Sequence, residues 1–195
     1  MTRARLAIVV AVWRHGRELV PTLRSIDRAR DVAGAELDVV IRVVCSDTRQ
    51  AVARSVIHRS GVADVGIHVV EQVTISPIGL QAHAVSEIDS THLAFVDAGD
   101  LVSEEWLLDA FRVCQASGDA PIVVRPARVV TFGKRSGLWP QARWPAEPSA
   151  AHLLAVTDPW TGPLVMTRSV VEHVALTADV HEAIAQREWH SDLLA

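Results

Sequence analysis

Short, unbroken apolar runs alternate with longer stretches of helical period through the first half of the chain. Residues 6–12 (LAIVVAV) are continuously apolar, which predicts a strand covered on both faces. Residues 17–30 follow with Leu19, Leu23 and Ile26 at helical spacing, and Pro21 falls in the first turn, where a missing N–H costs little. Residues 37–44 predict a second strand. Ser46 or Asp47 is then expected to cap a helix reaching Arg59, with Ala51, Val52 and Val56 turned inward and Gly61 as its stop. A third strand is expected over 67–73, a third helix opened by Pro77 and Gly79 up to Ile88, and a fourth strand over 92–96. This β-α-β-α-β-α-β alternation predicts a mostly parallel sheet flanked by helices.

Beyond the fourth strand, Ser103 is expected to start a helix running to Ala116, with Glu104 and Glu105 favourable near its positive end. Its apolar face reads Trp106, Leu107, Ala110, Phe111 and Cys114, and Trp106 fits the core better than a ligand contact. Shorter strand signals follow at 122–124 and 128–132. Residues 133–149 lack periodicity and predict a long loop carrying Trp139 and Trp144, of the kind that often binds something. A strand over 164–167, a helix from Ser169 and a weaker helix over 180–194 complete the reading. No repeat or linker interrupts it, so one domain is expected over 1–195, with a first half over 1–118 and a shorter second half over 119–195.

Composition narrows the class. The 195 residues are 49% hydrophobic, enough for a full core and incompatible with a disordered tail. The net charge of −4 comes from mixed acids and bases, so no basic block suggests nucleic acid. The start, with arginines before a short apolar run, lacks a cleavage site and reads as a strand rather than a signal peptide. No apolar run has the length of a membrane span. Cys45 and Cys114 have no metal-ligand spacing, so a reducing compartment is the default. Arginine is abundant and Lys134 is the sole lysine, which suggests a high-GC, bacterial coding bias.

The chemistry concentrates at residues 92–100, HLAFVDAGD. An apolar strand ends in Asp97 and Asp100, and a helix follows. Ligands of open α/β sheets bind outside the carboxyl ends of the strands. Two acids there are suited to a hard divalent cation and, through it, a diphosphate. The plainer reading is that Asp97 ends the strand and Asp100 shapes the turn.

Several segments, in order, resemble family 2 glycosyltransferases, whose nucleotide-sugar transferase fold is called GT-A. These are AIVVAVW at 7–13, LVPTLRSI at 19–26 with its Leu-x-Ser-Ile, VVCSD at 43–47, the Gly79-Leu80 segment, and AFVDAGDLVSEEWL at 94–107. The likeness covers residues 5–115 and is faint afterwards, in Trp160-Thr161-Gly162 and Arg187-Glu188-Trp189. It implies transfer of a sugar from a nucleotide-sugar donor to a hydroxyl acceptor, with inversion. The implied donor-site residues are Trp13, Arg14, His15, Cys45, Asp47, His83 and Asp97, with Asp97 and Asp100 holding Mg²⁺ or Mn²⁺. Glu188 is the implied base and Asp192 the alternate. Trp160 and Gly162 are the implied acceptor loop, where tryptophan stacks on a sugar ring and glycine permits close approach. His181 and His190, in the same C-terminal segment, read as surface histidines.

The departures are specific. Gly99 stands where the family commonly has a metal-binding Asp, and Cys45 where it has a base-recognising acid; a thiol is a poor acceptor. Gln81 and Ala82, or His83 under a shift of two, replace an Arg-Asn pair, and Arg14 replaces an Asn. Either Arg14 or His15 takes over phosphate charge, or the site is impaired and the chain is a non-catalytic GT-A-fold binding or scaffolding protein. A nucleotide-binding α/β protein of other chemistry is disfavoured, because only one glycine follows the first strand. The acceptor is expected to be a carbohydrate, a lipid-linked molecule or a small molecule, with a protein partner or a second copy as a further expectation. The expected location is the cytoplasm, including the inner face of a membrane. The chain is short for the family, so the expectation is either that it stops before a C-terminal acceptor or membrane-associating segment or that it needs a partner.

Overall fold

The computed structural model describes residues 4–12, 18–70, 84–85, 87–118, 120, 122–126, 128–131, 137–140 and 163–170. The strands are β1 (Ala4–Val12), β2 (Leu37–Ser46), β3 (Val65–Val70), β4 (His92–Asp97), β5 (Val123–Val124), β6 (Arg128–Thr131), β7 (Gly137–Pro140) and β8 (Leu164–Thr167). Among the described residues the helices bounded at both ends are α1 (Leu19–Ala33), α2 (Gln50–Ser60) and α3 (Trp106–Ala116), and residues 84–85 and 168–170 are also helical. One six-stranded sheet has the order β3-β2-β1-β4-β8-β5, and β6 and β7 form a separate ribbon. The first four strands are parallel to one another, while β8 is antiparallel to both β4 and β5.

Period-two alternation divides the core. Leu6, Ile8, Val10 and Val12 of β1 face α1, α2 and α3, where they meet Leu23, Ile26, Val56, Leu107 and Phe111. Ala7 and Val9 face the other side, with Ala84, Val85, Ile88, Leu93 and Met166. Each large side chain buried this way contributes about 1.5–3 kcal/mol. Both faces are covered, which is why β1 reads as an unbroken apolar run.

Several elements differ from the sequence expectation. A 3-10 turn over Asp47–Arg49 precedes α2, and the helix buries Ala53, Val56 and Ser60 rather than Ala51 and Val52, which are exposed. The tighter 3-10 turn advances the chain by a different angle per residue, so the inward face is rotated from the expected one. Neither Ser46 nor Ser103 caps a helix through its side chain. The Ser46 hydroxyl meets Thr48 Oγ1 at 3.1 Å, and α3 starts only after Glu105. Within the span expected to be a loop, Gly137–Pro140 pairs antiparallel with Arg128–Thr131, opposing Trp139 to Val129. A two-stranded ribbon needs backbone pairing alone, and a proline at its end is tolerated. The expected helix over 180–194 lies outside the described residues.

Candidate functional site: the acidic turn at the sheet switch point

The chain leaves β1 toward β2 and β3 on one side, while β4 pairs on β1's other side. The carboxyl ends of β1 and β4 therefore flank a topological switch point, where open α/β sheets bind ligands. Asp97 is the last residue of β4 and lies opposite Ala11 of β1. The sheet hydrogen bonding extends one step further, since the Ala98 N–H donates to the Ala11 carbonyl at 3.2 Å.

Residues 97–100 then form a tight turn, closed by the Asp100 N–H donating to the Asp97 carbonyl at 3.0 Å. Gly99, its third residue, has φ 116°. A positive φ at that place is what a type II turn asks of glycine. A Cβ at Gly99 would find only ordinary contacts, with Glu18 Cβ at 3.8 Å and Glu18 Oε2 at 3.9 Å. The backbone, rather than lack of space, selects glycine here.

Two hydroxyls of α1 hold this turn. Thr22 Oγ1 donates to the Glu18 carbonyl at 3.1 Å and accepts the Gly99 N–H at 2.9 Å. Ser25 Oγ donates to the Thr22 carbonyl at 2.8 Å and accepts the Val102 N–H at 3.3 Å. Both side chains lie in the apolar stripe of α1, between Leu19 and Ile26, and are buried. The sequence reading missed them. The available signal was a polar residue at a core phase of the helix, in Thr22 and in the Ser25 of the Leu-x-Ser-Ile segment.

The two carboxyls differ in setting. Asp97 is partly buried at the sheet edge. Asp100 is more enclosed: its Oδ2 is buried without a hydrogen-bond partner. That burial pushes its pKa up, opposed by a backbone hydrogen bond from Asp97. Among the described residues no group of three or more His, Cys, Asp or Glu is placed to hold a metal.

Cys45, opposite Val12 near the carboxyl end of β2, is wholly buried in the core beneath the helices. Desolvation raises its thiol pKa, partly offset by Arg54, with Asp47 adding to the rise. Asp47, two residues on, is exposed in the 3-10 turn and is the acid this strand end offers. Trp106 is partly buried against the core, as its helical phase suggests. Trp13, Arg14, His15, His83, Trp160, Gly162, Glu188 and Asp192 lie outside the described residues, as do Trp144, His181 and His190.

Solved structures share this architecture. Residues 1–349 of S. aureus TarS superpose with a TM-score of 0.61 at 16% identity, over 87% of this chain and 48% of that one. The 4-diphosphocytidyl-2C-methyl-D-erythritol synthase of Anaerococcus prevotii gives 0.53 at 14% identity, over 91% and 77% of the two chains. A CMP:2-keto-3-deoxy-manno-octonic acid synthetase complexed with CTP gives 0.53 at 13%, over 96% and 87%. The chain has a GT-A-like nucleotide-diphospho-sugar transferase fold. This GT-A-like chain spans about half the length of the TarS fragment. No family model matches its sequence, and no curated protein does. Among its described residues no helix is long and apolar enough to cross a membrane.

Proposed function

We propose that the chain is a glycosyltransferase that moves a sugar from a nucleotide-sugar donor to a hydroxyl acceptor, with inversion and with help from a divalent cation. The observation that carries this reading is the position of the Asp97–Asp100 turn at the switch point between β1 and β4. The GT-A-like fold supports it, being shared with a synthetase solved with CTP.

The residues of the turn suit a cation. Mg²⁺ is commonly held by one or two carboxylates together with substrate phosphates and water. Asp97 and Asp100 supply the carboxylates, and the unpartnered, buried Oδ2 of Asp100 is an acceptor that a cation would satisfy. When bound, Mg²⁺ or Mn²⁺ supplies positive charge against that growing on the departing diphosphate.

The remaining roles belong to the protein. Asp47 with Trp13, Arg14 and His15 would orient the nucleotide, the guanidinium of Arg14 pairing with phosphate oxygens. His83 would add charge to that pairing when protonated. Trp160 and Gly162 would seat the acceptor. Glu188, or Asp192 in its place, would take the proton from the attacking hydroxyl. The acceptor would be a carbohydrate, a lipid-linked molecule or a small molecule, met in the cytoplasm or at the inner face of a membrane.

A second reading, a GT-A-fold binding or scaffolding protein without catalysis, is favoured by two observations. Gly99 adopts a conformation unsuited to the usual metal-binding Asp, and Cys45 is enclosed in the core where the family places an acid. Calorimetry with UDP, GDP, dTDP and CTP, each with and without Mn²⁺, separates the readings. Diphosphate binding that tightens with Mn²⁺ and disappears in Asp97→Ala supports the transferase. Preference for CTP points to nucleotidyl transfer instead, and no binding to any of the four leaves the scaffold.

A further inference from the structure

We infer that Thr22 and Ser25 are positioning residues for the donor site: their hydroxyls fix the backbone of the acidic turn and so determine where Asp97 and Asp100 stand. The inference rests on the donor-site reading above and names the groups that would make it work.

Burying a hydroxyl is costly unless it is hydrogen-bonded. In α1 the buried stripe is otherwise built from Leu19, Leu23, Ile26, Ala29 and Ala33. Thr22 is 0% exposed and Ser25 1%, so an apolar residue would satisfy packing at either place. Each hydroxyl instead serves two partners. Its proton goes to a carbonyl of its own helix, Glu18 for Thr22 and Thr22 for Ser25. Its lone pair is thereby left to accept an amide from outside the helix. Both accepted amides, from Gly99 and Val102, belong to the one segment that carries the acids.

The contacts bracket Asp100. Gly99 precedes it and Val102 follows it, so the short segment around this carboxyl is pinned at both ends to a helix in the core. Gly99 is also the residue whose positive φ turns the chain between the two acids. Fixing its N–H fixes the plane of that turn. Carboxylates held in place before a ligand arrives lose less entropy on binding than carboxylates on a loose loop.

The test uses the full chain with Thr22→Val, Thr22→Ser and Ser25→Ala, at a temperature where circular dichroism shows all of them folded. In the metal-free protein, amide exchange at Gly99 should accelerate about tenfold in Thr22→Val, the size expected for one lost hydrogen bond. Thr22→Ser should restore protection, and Ser25→Ala should affect Val102. Affinity for the nucleoside diphosphate that wild type binds tightest with Mn²⁺ should fall by about five- to tenfold in Thr22→Val and return in Thr22→Ser. Unchanged exchange at Gly99 overturns the inference, as does full affinity in Thr22→Val, or a Thr22→Ser variant as weak as the valine. A wild type that binds no nucleotide overturns the donor-site reading and this role together. Nucleotide binding by wild type that keeps its full strength in Thr22→Val overturns the positioning role alone.

Discussion

Arg42 of β2 lies across the backbone of its register partner Gly66 in β3, so that a Cβ at residue 66 would sit 2.8 Å from the guanidinium carbon and 2.9 Å from Cδ. The guanidinium is held there by donating to the Ile41 carbonyl at 3.3 Å. Glycine at this strand position makes room for an arginine stem. Gly66→Ala is expected to cost under about 1 kcal/mol, because the atoms it meets belong to the far end of a flexible arginine that can swing aside at the loss of its hydrogen bond to Ile41. The cost should largely vanish in an Arg42→Ala background, where strand propensity favours alanine. A double-mutant cycle in urea checks this, and simple additivity would refute it.

Gly99 gives a second expectation. Because a side chain there meets only ordinary contacts while φ is 116°, the penalty of Gly99→Ala is conformational, about 1–2 kcal/mol. Gly99→Asp should be less stable still, because its charge lies beside the Glu18 carboxylate. Equilibrium unfolding of both variants decides it. An alanine variant as stable as wild type would mean that the turn does not require glycine.

His92 predicts a pH effect. Its imidazole is partly buried, edge-on to the Phe111 ring at 5.2 Å between centroids, and desolvation lowers its pKa from the ordinary 6.5. The unfolded chain then binds the proton at a higher pH than the folded one. Stability contributed by the neutral ring is complete above pH 6.5 and is lost as pH falls through that value toward the lower folded pKa. His92→Gln should flatten this part of the stability profile between about pH 5 and 7.5. An identical acid limb in wild type and variant would exclude His92 as its source.

Cys45 and Cys114 are both buried, and desolvation raises both thiol pKa values. Neither should react with a thiol reagent in the native protein at neutral pH, whereas both should react in urea. Fast native labelling of Cys45 would show that its strand end opens to solvent. Cys45→Asp should be strongly destabilising, by about 3 kcal/mol or more, because it places a carboxylate in an apolar core.

The strands were the most legible part of the chain. Residues 164–167 read as a strand and form β8 over the same residues, and the alternation up to β4 announced the parallel sheet. Helix starts were less legible, because Ser46 and Ser103 resemble caps yet act through turns that precede their helices. β6 was read as a strand over 128–132, whereas its partner β7 escaped because two paired backbones need no apolar alternation. Of the site, Asp97 and Asp100 were visible as acids after an apolar run. Their support was not, because it comes from Thr22 and Ser25, distant in sequence and polar, while their burial depends on how two helices dock. The role of Cys45 was similarly hidden, since its position near a strand end does not reveal which face the thiol takes.

Contacts between α1 with the turn that follows it and the segment from Gly99 through α3 run in the same order along both stretches. Thr22 meets Gly99, Ser25 meets Val102, Arg28 meets Glu104 and Glu36 meets Arg112. These two stretches therefore constitute a single unit of exchange. A chimera that imports α1 from another protein of this fold would need to import the donor's strand-to-helix crossing with it, or rebuild the two hydroxyl contacts of Thr22 and Ser25 together.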